Sequence, residues 1–450
     1  MYSRMREYIS NFFQFVVFSD SFISTIHNPA ALMDKEETMV HLTVDIGGRP
    51  GTDCRGFCAY CYFKHAKDVP PFGCRYCLPF LKGCDYCSRG VKEEYAGFLP
   101  LQTVAESFLA DLQMITGDVT RITISGGGDP SCYPEFRDLV ELLGTLDIPL
   151  HIGYTSGKGF DDPEIADFLI ANHLTEVSFT VFAADAELRR KWMHDPTPET
   201  SLEIIRRLAK QVEVYAAIVI LPDVNDGAVL TETLSWLSEA GVKGVILMRF
   251  ANRPEQGLIL ENAPILPGQR VHTVEEFADL VRESAAAFPH LRISGTPLYD
   301  PRFDSPFAIR NMPELLDRLP RVDKRATIIT GAVAFPYIRT VISACGGDPS
   351  SVVAVDKEIA CLITIDDLTS LHLPDLCDTV IIPGRAFVHD AEAEKVLSRD
   401  GVFRTVVRGP EMLSADGETS MGMTEVDVLT MEMEGFSALI RLINQYGCPT

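Results

Sequence analysis

The chain has 450 residues, 46% of them apolar and 23% charged, a balance that supports packed cores and roughly two or three domains. Its 63 Asp and Glu against 40 Lys and Arg leave a formal charge of −23. Such a chain repels polyanions, so nucleic acid and anionic membrane surfaces are excluded as default partners, and a small molecule or another protein is expected.

Residues 1–38 contain "YISNFFQFVVFSDSFISTI", which is apolar but broken by Asn11, Gln14, Ser19 and Asp20 and too short for a membrane span. Read as a cleaved signal, it would make the cysteines structural disulfides. Seven of the twelve cysteines lie between Cys54 and Cys87, an odd number with C-x-x-C spacing, which suits metal in a reducing interior better. The expectation is a soluble, cytoplasmic chain, with residues 1–38 either a genuine extension or the product of a start codon chosen too early.

From "MVHLTVDI" onward, short β-branched runs alternate with helical periods. The strand candidates are "MVHLTVDI", "RITIS", "LHIGYTS", "EVSFTVFA", "VEVYAAIVIL" and "GVKGVILMRF". In "TVAESFLADLQMI", Val104, Phe108, Leu112 and Ile115 share one helical face. In "TPETSLEIIRRLAKQ", Thr197 is expected to cap and Pro198 to open a helix whose buried stripe is Leu202, Ile205 and Leu208. Strand, helix, strand at this spacing gives a parallel sheet with right-handed crossovers. Six strands by about residue 250 suit a partial barrel better than a closed eight-fold one. Function then gathers in the loops after the strands. The helical run "TVEEFADLVRESAAAF" follows, and "SGTPLYDPRFDSPF" marks the domain boundary. "ATIITGAVAFPYIRTVISACGG", "SVVAVD", "ACLITIDDL" and "DTVIIPGRAF" read as a second, smaller α/β unit.

Cys54, Cys58 and Cys61 fall in the loop after the first strand. Three thiolates, rather than four, hold a four-iron cluster while leaving one iron without a protein ligand. Cys74 and Cys77, then Cys84 and Cys87, form two further C-x-x-C knuckles separated by six residues. Four thiolates close a tetrahedron around one iron or zinc ion, with an auxiliary iron-sulfur cluster as the rival.

The triplet closely resembles that of the radical S-adenosylmethionine (SAM) superfamily. That resemblance implies a [4Fe-4S] cluster whose open iron binds SAM and splits it to a 5′-deoxyadenosyl radical. It gives Cys54, Cys58, Cys61 and Tyr62 the catalytic role. Tyr62 is placed beside the adenine, or on the vacant iron when SAM is absent; a plain packing role is the alternative. "SGGGDP", with Gly126, Gly127, Gly128 and Asp129, resembles the motif that supports SAM's amino group, with one extra glycine and Asp in place of Glu. Thr155 and Ser156 in "YTSGKG", and Thr180, stand where that superfamily contacts the methionine carboxylate or the ribose.

The triplet, the knuckle pair, "GGGDP" and the smaller second unit together resemble the methanogenesis marker protein ten family from about Met39 to the end. The resemblance implies a partial (β/α)6 barrel over 39–290 with its four-Cys metal loop at 74–87, and a C-terminal cobalamin-binding domain over 291–450. It implies an anaerobic, cobalamin-dependent methyltransferase acting on the sp3 δ-carbon of an arginine in the α subunit of methyl-coenzyme M reductase, with an unidentified electron donor. That carbon is neither acidic nor nucleophilic, so polar methyl transfer has no handle on it and a radical supplies one. No Asp-x-His-x-x-Gly cobalamin signature surrounds His372 or His389. The corrinoid loop expected from the resemblance is "TGAVAFPYI", with Gly331, Ala332, Phe335 and Pro336, where small residues permit close approach; an ordinary strand-to-helix turn is the alternative. Asp129, Asp185 and Glu255 are candidates for pairing with the guanidinium. A radical SAM peptide maturase without cobalamin, and a noncatalytic metal-binding scaffold, are the competing readings.

Overall fold

The computed structural model describes residues 40–78, 81–83, 95–115, 117–297 and 299–449. Residues 1–38 and the thiols of Cys84 and Cys87 lie outside them.

The first unit is a parallel sheet in the order β1-β2-β3-β4-β5-β6-β7. Its strands are β1 (Val40–Asp45), β2 (Val119–Ser125), β3 (Leu150–Thr155), β4 (Leu174–Thr180), β5 (Glu213–Ile220), β6 (Gly244–Arg249) and β7 (Arg292–Thr296). The six strands expected from sequence are all present, and the sheet is corrected to seven. β7 pairs in parallel with β6 from Gly244↔Arg292 to Met248↔Thr296. Its sequence, "RISGT", has a single aliphatic residue, so nothing in its hydrophobic pattern marks a strand. Sequential order with each neighbour parallel is the partial-barrel arrangement, and the loops after the strands share one mouth.

Crossover helices cover the outer face, among them α1 (Leu101–Met114), α2 (Phe136–Gly144), α3 (Ile165–Ala171), α4 (Ala186–Trp192), α5 (Pro198–Leu208), α6 (Gly227–Ala240) and α7 (Val274–Ala287). The α1 stripe is as expected: Val104 and Phe108 are buried, and Leu112 and Ile115 pack against the same core. Pro198 opens α5, but Thr197 makes no side-chain cap. Instead the Thr197 N–H donates to Asp195 Oδ1 at 3.1 Å. The buried stripe of α5 is Ser201, Ile204, Ile205 and Leu208, with Leu202 only packed against its edge.

The second unit is a four-stranded parallel sheet. Its members are β9 (Thr327–Thr330), β10 (Val352–Ala354), β11 (Thr379–Ile382) and β12 (Thr405–Arg408), in the order β10-β9-β11-β12; a short pair, β8 (Lys324–Arg325) with β13 (Cys448–Pro449), joins its ends. Both faces are covered, as parallel sheets require. Ile328 and Ile381 pack against helices α8 (Phe335–Ala344) and α10 (Glu425–Tyr446), while Ile329, Val380 and Ile382 pack on the face that carries α9 (Asp390–Leu397). "ACLITIDDL" forms two short helical turns, the second held by a reciprocal cap between Thr364 and Asp367. The chain leaves β9 toward β10 on one side and reaches β11 on the other, so the carboxyl ends of β9 and β11 flank a topological switch point, where such sheets place ligands. No helix among the described residues is long and apolar enough to cross a membrane.

Candidate active site

The thiol loop begins where β1 ends. Gly51, at φ 78°, carries the Phe57 ring against its own Cα, where any side chain would collide. Arg55 anchors the loop from the far side, its fork on Asp161 at 2.6 and 2.8 Å and one branch on the Lys158 carbonyl at 2.8 Å. The other end is tied to the end of α4: the Ala59 N–H donates to Trp192 O at 2.7 Å, and Cys58 Sγ lies 3.7 Å from Met193 O.

Cys54, Cys58 and Cys61 are brought into one electrostatic neighbourhood. Burial pushes their thiols up, Cys54 to about 11 and Cys61 to about 12. The Lys158 ammonium acts on all three in the opposite sense. Lys158 is 1% exposed and donates to Gly56 O at 2.8 Å and Met193 O at 3.1 Å. It was not singled out from sequence, although it stands in the quoted "YTSGKG". Among the described residues no three His, Cys, Asp or Glu side chains converge as they would on one ion. A cubane places each thiolate on a different iron, so its three ligands need not converge in that way. The donor set fits such a cluster: three buried thiols, two of which act on the third, all opposed by one buried cation.

The glycine motif packs backbone against backbone. The Gly128 N–H donates to Gly47 O at 3.1 Å, and a Cβ on Gly128 would stand 2.6 Å from the Phe98 ring. A Cβ on Gly126 would strike Gly47 O. Gly127 is buried between them. Asp129, 7% exposed, is consumed within the chain. Its Oδ1 accepts from Ser131 N (2.9 Å), Ser131 Oγ (2.7 Å) and Thr155 Oγ1 (2.7 Å), and its Oδ2 from Ser156 N (2.9 Å) and Ser156 Oγ. Asp129, Thr155 and Ser156 are therefore brought together on one another, and they lock the end of β2 to the end of β3. Thr180 offers its carbonyl to Arg189 at 3.2 Å.

Arg189 and Asp195 form a fully buried ion pair at 2.8 Å, and the guanidinium also reaches the carbonyls of Val181 and Ser156. In sequence Arg189 reads as a surface-helix residue of "ELRRKW", and no pattern distinguishes it. Two further residues were missed. Tyr60, inside the triplet, is buried against the Cys58 thiol and stacks on Phe182 with centroids 5.0 Å apart. Cys132, just past the glycine motif, has its thiol pushed up to about 12, by burial first and then by Asp129, with a smaller push from Cys54. Tyr62 stacks on Phe250 at 6.2 Å, its phenol accepts the Ala251 N–H at 3.2 Å, and its carbonyl accepts from Asn262 Nδ2 at 2.6 Å.

Two adjoining cavities, of about 630 and 280 Å3, separate the barrel mouth from the second unit. They share Pro297, Ile359, Cys361, Arg385 and Glu411 as walls. Tyr62, Phe63 and Cys74 line the larger one. The smaller sits at the switch point, with Thr330, Val333, Ala334, Ile382 and Pro383 in its wall. The "TGAVAFPYI" loop thus reaches the cavity through Val333 and Ala334. Gly331 is turned toward the backbone of Glu358, which a Cβ would meet at 2.5 Å. The Ala332 N–H donates to Lys357 O at 2.8 Å, and Phe335 and Pro336 begin α8.

Cys74 and Cys77 form a knuckle, with the Cys74 N–H 3.4 Å from Cys77 Sγ and the Cys77 N–H on Cys74 O. Their loop lies against the second unit: Phe72 meets Phe387 at 6.1 Å, His389 Nε2 is 3.1 Å from Leu78 O, and Lys82 pairs with Glu392 at 3.0 Å. Arg75 pairs with Glu411.

The fold thus brings a thiol loop and a glycine loop together at the mouth of a parallel barrel. Residues 81–237 match the family model of the Radical SAM superfamily. Among solved structures the chain is similar to SuiB of Streptococcus suis bound to S-adenosylmethionine, at 10% identity and a TM-score of 0.40, covering 62% of this chain and 53% of that one. It is similar to a radical SAM methyltransferase from Sphaerobacter thermophilus, at 16% identity and a TM-score of 0.34, covering 57% and 65%. A third likeness is to HemN, the coproporphyrinogen III oxidase of Escherichia coli, at 14% identity and a TM-score of 0.36, covering 64% and 59%. The chain therefore spans between half and two-thirds of the length of these proteins. No curated protein matches the sequence.

Proposed function

We propose that the protein is a cobalamin-dependent radical SAM methyltransferase that adds a methyl group to the δ-carbon of an arginine in the α subunit of methyl-coenzyme M reductase. The observation that carries this reading is the pair of adjoining cavities, which run from the residues beside the thiol loop to the switch point of the second sheet. Adjoining spaces of this kind would let a radical source, a substrate and a second planar cofactor meet, as the chemistry of an unactivated sp3 carbon requires.

When bound, the cluster and SAM supply the hydrogen-abstracting radical and cobalamin supplies the methyl group. The chain's own residues hold and enclose. Cys54, Cys58 and Cys61 would hold the cluster, and Lys158 fixes the two segments that flank it. Gly126 and Gly128 allow the loop after β2 to lie flat on the thiol loop. Tyr60, Phe182 and Phe250 form an apolar wall that excludes water from the mouth. Val333, Ala334 and the end of β11 offer the corrinoid a small-residue surface at the switch point.

A second reading is favoured by one observation. Cys74 lines the larger cavity, so an auxiliary cluster held there would face the substrate, as in a peptide maturase without cobalamin. Anaerobic incubation of the reconstituted protein with SAM, methylcobalamin, a strong reductant and the arginine-bearing reductase segment, followed by mass spectrometry, separates them. The proposal expects one added methyl on arginine that depends on cobalamin and is abolished by Cys58→Ala. Peptide conversion without cobalamin, together with iron and sulfide beyond one four-iron cluster, would establish the maturase instead.

A further inference from the structure

Lys158 is a buried cation with no anion paired to it. It is 1% exposed, and its ammonium donates to two backbone carbonyls, Gly56 O at 2.8 Å and Met193 O at 3.1 Å. The other buried cation of this region, Arg189, has Asp195 at 2.8 Å, whereas Lys158 has no ion pair among the described residues. Taking an ammonium out of water is costly unless an anion compensates it, so the position of Lys158 calls for one.

The fold fixes this ammonium in place. Its loop follows β3, and the flanking glycines let other elements close in on both sides. A Cβ on Gly157, at φ 75°, would strike the Phe179 ring, and one on Gly159 would strike Ser131 O. The Lys158 carbonyl accepts from Arg55 Nη1 at 2.8 Å. Arg55 and Gly56 are neighbours in the thiol loop, between Cys54 and Cys58. Main chain and side chain of Lys158 are thus both tied to the loop that carries the triplet.

A second contact brings the cation to the thiols from the side of α4. Met193 O, which accepts from the ammonium, also has Cys58 Sγ 3.7 Å away, so cation and thiol meet at one carbonyl. Lys158 favours the thiolate form of Cys54, Cys58 and Cys61 alike. Arg189, which also acts on Cys58, is already neutralised by Asp195. Asp129 acts on Cys54 and Cys58 in the opposite sense, and its oxygens are taken up by neutral hydroxyl and N–H donors.

Three thiolates around a four-iron core make a group of net negative charge, and the electron it accepts on reduction adds to that charge. A fixed positive charge nearby, in a buried site, favours the more negative form. We infer that Lys158 is the counter-charge of the cluster held by Cys54, Cys58 and Cys61, and that it raises the cluster's reduction potential. The electron comes from an external low-potential one-electron donor; the ammonium keeps its protons and forms no bond. This rests on the radical SAM part of the proposed function and is independent of cobalamin and of the substrate.

The test is a potentiometric titration of the reconstituted full chain, without SAM, with dithionite as reductant and the reduced cluster read by electron paramagnetic resonance. Lys158→Gln keeps a hydrogen-bond donor and loses the charge. At a fixed potential its ratio of reduced to oxidised cluster is expected to fall at least roughly tenfold, a shift of about 59 mV for a one-electron couple. Lys158→Arg, which keeps the charge, should stay close to the unsubstituted protein. A Lys158→Gln chain that is folded by circular dichroism yet loads no cluster, beside a Lys158→Arg chain that loads it, would support the same conclusion. An unchanged potential in Lys158→Gln would overturn it, as would equal shifts, or equal failure to load, in both variants, because shape and not charge would then decide. Weaker SAM binding by Lys158→Gln at an unchanged SAM-free potential would assign the ammonium to SAM's carboxylate and overturn it too. A shifted potential in a protein that methylates no arginine would keep the counter-charge and remove the methyltransferase reading. Arginine methylation with an unchanged potential in Lys158→Gln would do the reverse.

Discussion

His151 sits inside the barrel, 12% exposed, between Thr123 Oγ1 at 3.1 Å and Ser178 Oγ at 3.2 Å. Burial, then the Arg121 guanidinium and His41, lower its pKa from 6.5 to about 4. Between those values the unfolded chain binds a proton that the folded chain refuses, so this group's contribution to stability is complete above pH 6.5 and is lost as pH falls toward 4. The loss is on the order of 3 kcal/mol. Urea unfolding of His151→Gln should therefore show a shallower fall in midpoint between about pH 7 and pH 4.5 than the unsubstituted protein. At this scale the triplet was legible because three closely spaced cysteines carry their own chemistry. Asp129, Thr155 and Ser156 were legible as a set but not in their relation, because sequence places them 26 residues apart and only the pairing of β2 with β3 makes them partners. Arg189 and Lys158 were not legible: a buried cation is revealed by the carbonyls around it, and carbonyls leave no mark on sequence.

Among elements, the ends of the barrel strands are tied to the second unit. Arg249, the last residue of β6, meets Glu358, which follows β10, and the pair is almost wholly buried. Removing one partner strands a charge, at a cost of about 3–5 kcal/mol, whereas replacing both with apolar residues restores much of it. Limited proteolysis should thus cut Arg249→Met between the two units faster than the unsubstituted protein, with Arg249→Met/Glu358→Leu slower than the single variant. Six strands were readable from β-branched runs. β7 was hidden because its residues satisfy a different requirement: the Ser294 hydroxyl donates to Gly417 O, a Cβ on Gly417 would collide with Gly295, and Thr296 donates to Asp416. A strand stabilised by the segment that packs against it carries little hydrophobic pattern of its own.

Across the whole molecule, the loop with Cys74 and Cys77 joins the thiol loop of the barrel to α9 and to the segment after β12, through Lys82–Glu392 and Arg75–Glu411. A metal proposed to close that loop would act as a brace between the units. Chelation, or Cys74→Ser, should raise protease sensitivity between the units while the visible absorption of the triplet's cluster persists. Loss of both together would assign the knuckle metal to the cluster's own assembly. The two sheets were legible from alternating patterns, but the Pro/Gly/Asp-rich stretch read as the boundary begins inside β7. The cavities between the units were not legible, because they are made of contacts between residues more than a hundred positions apart.

Mass spectrometry of the reaction with a reductase segment deuterated at the arginine δ-carbon tests the central claim most directly. The predicted result is deuterium in 5′-deoxyadenosine together with one methyl group on the same arginine, both absent with Cys58→Ala. Deuterium-free 5′-deoxyadenosine beside a methylated arginine, or methylation that survives Cys58→Ala, would contradict it.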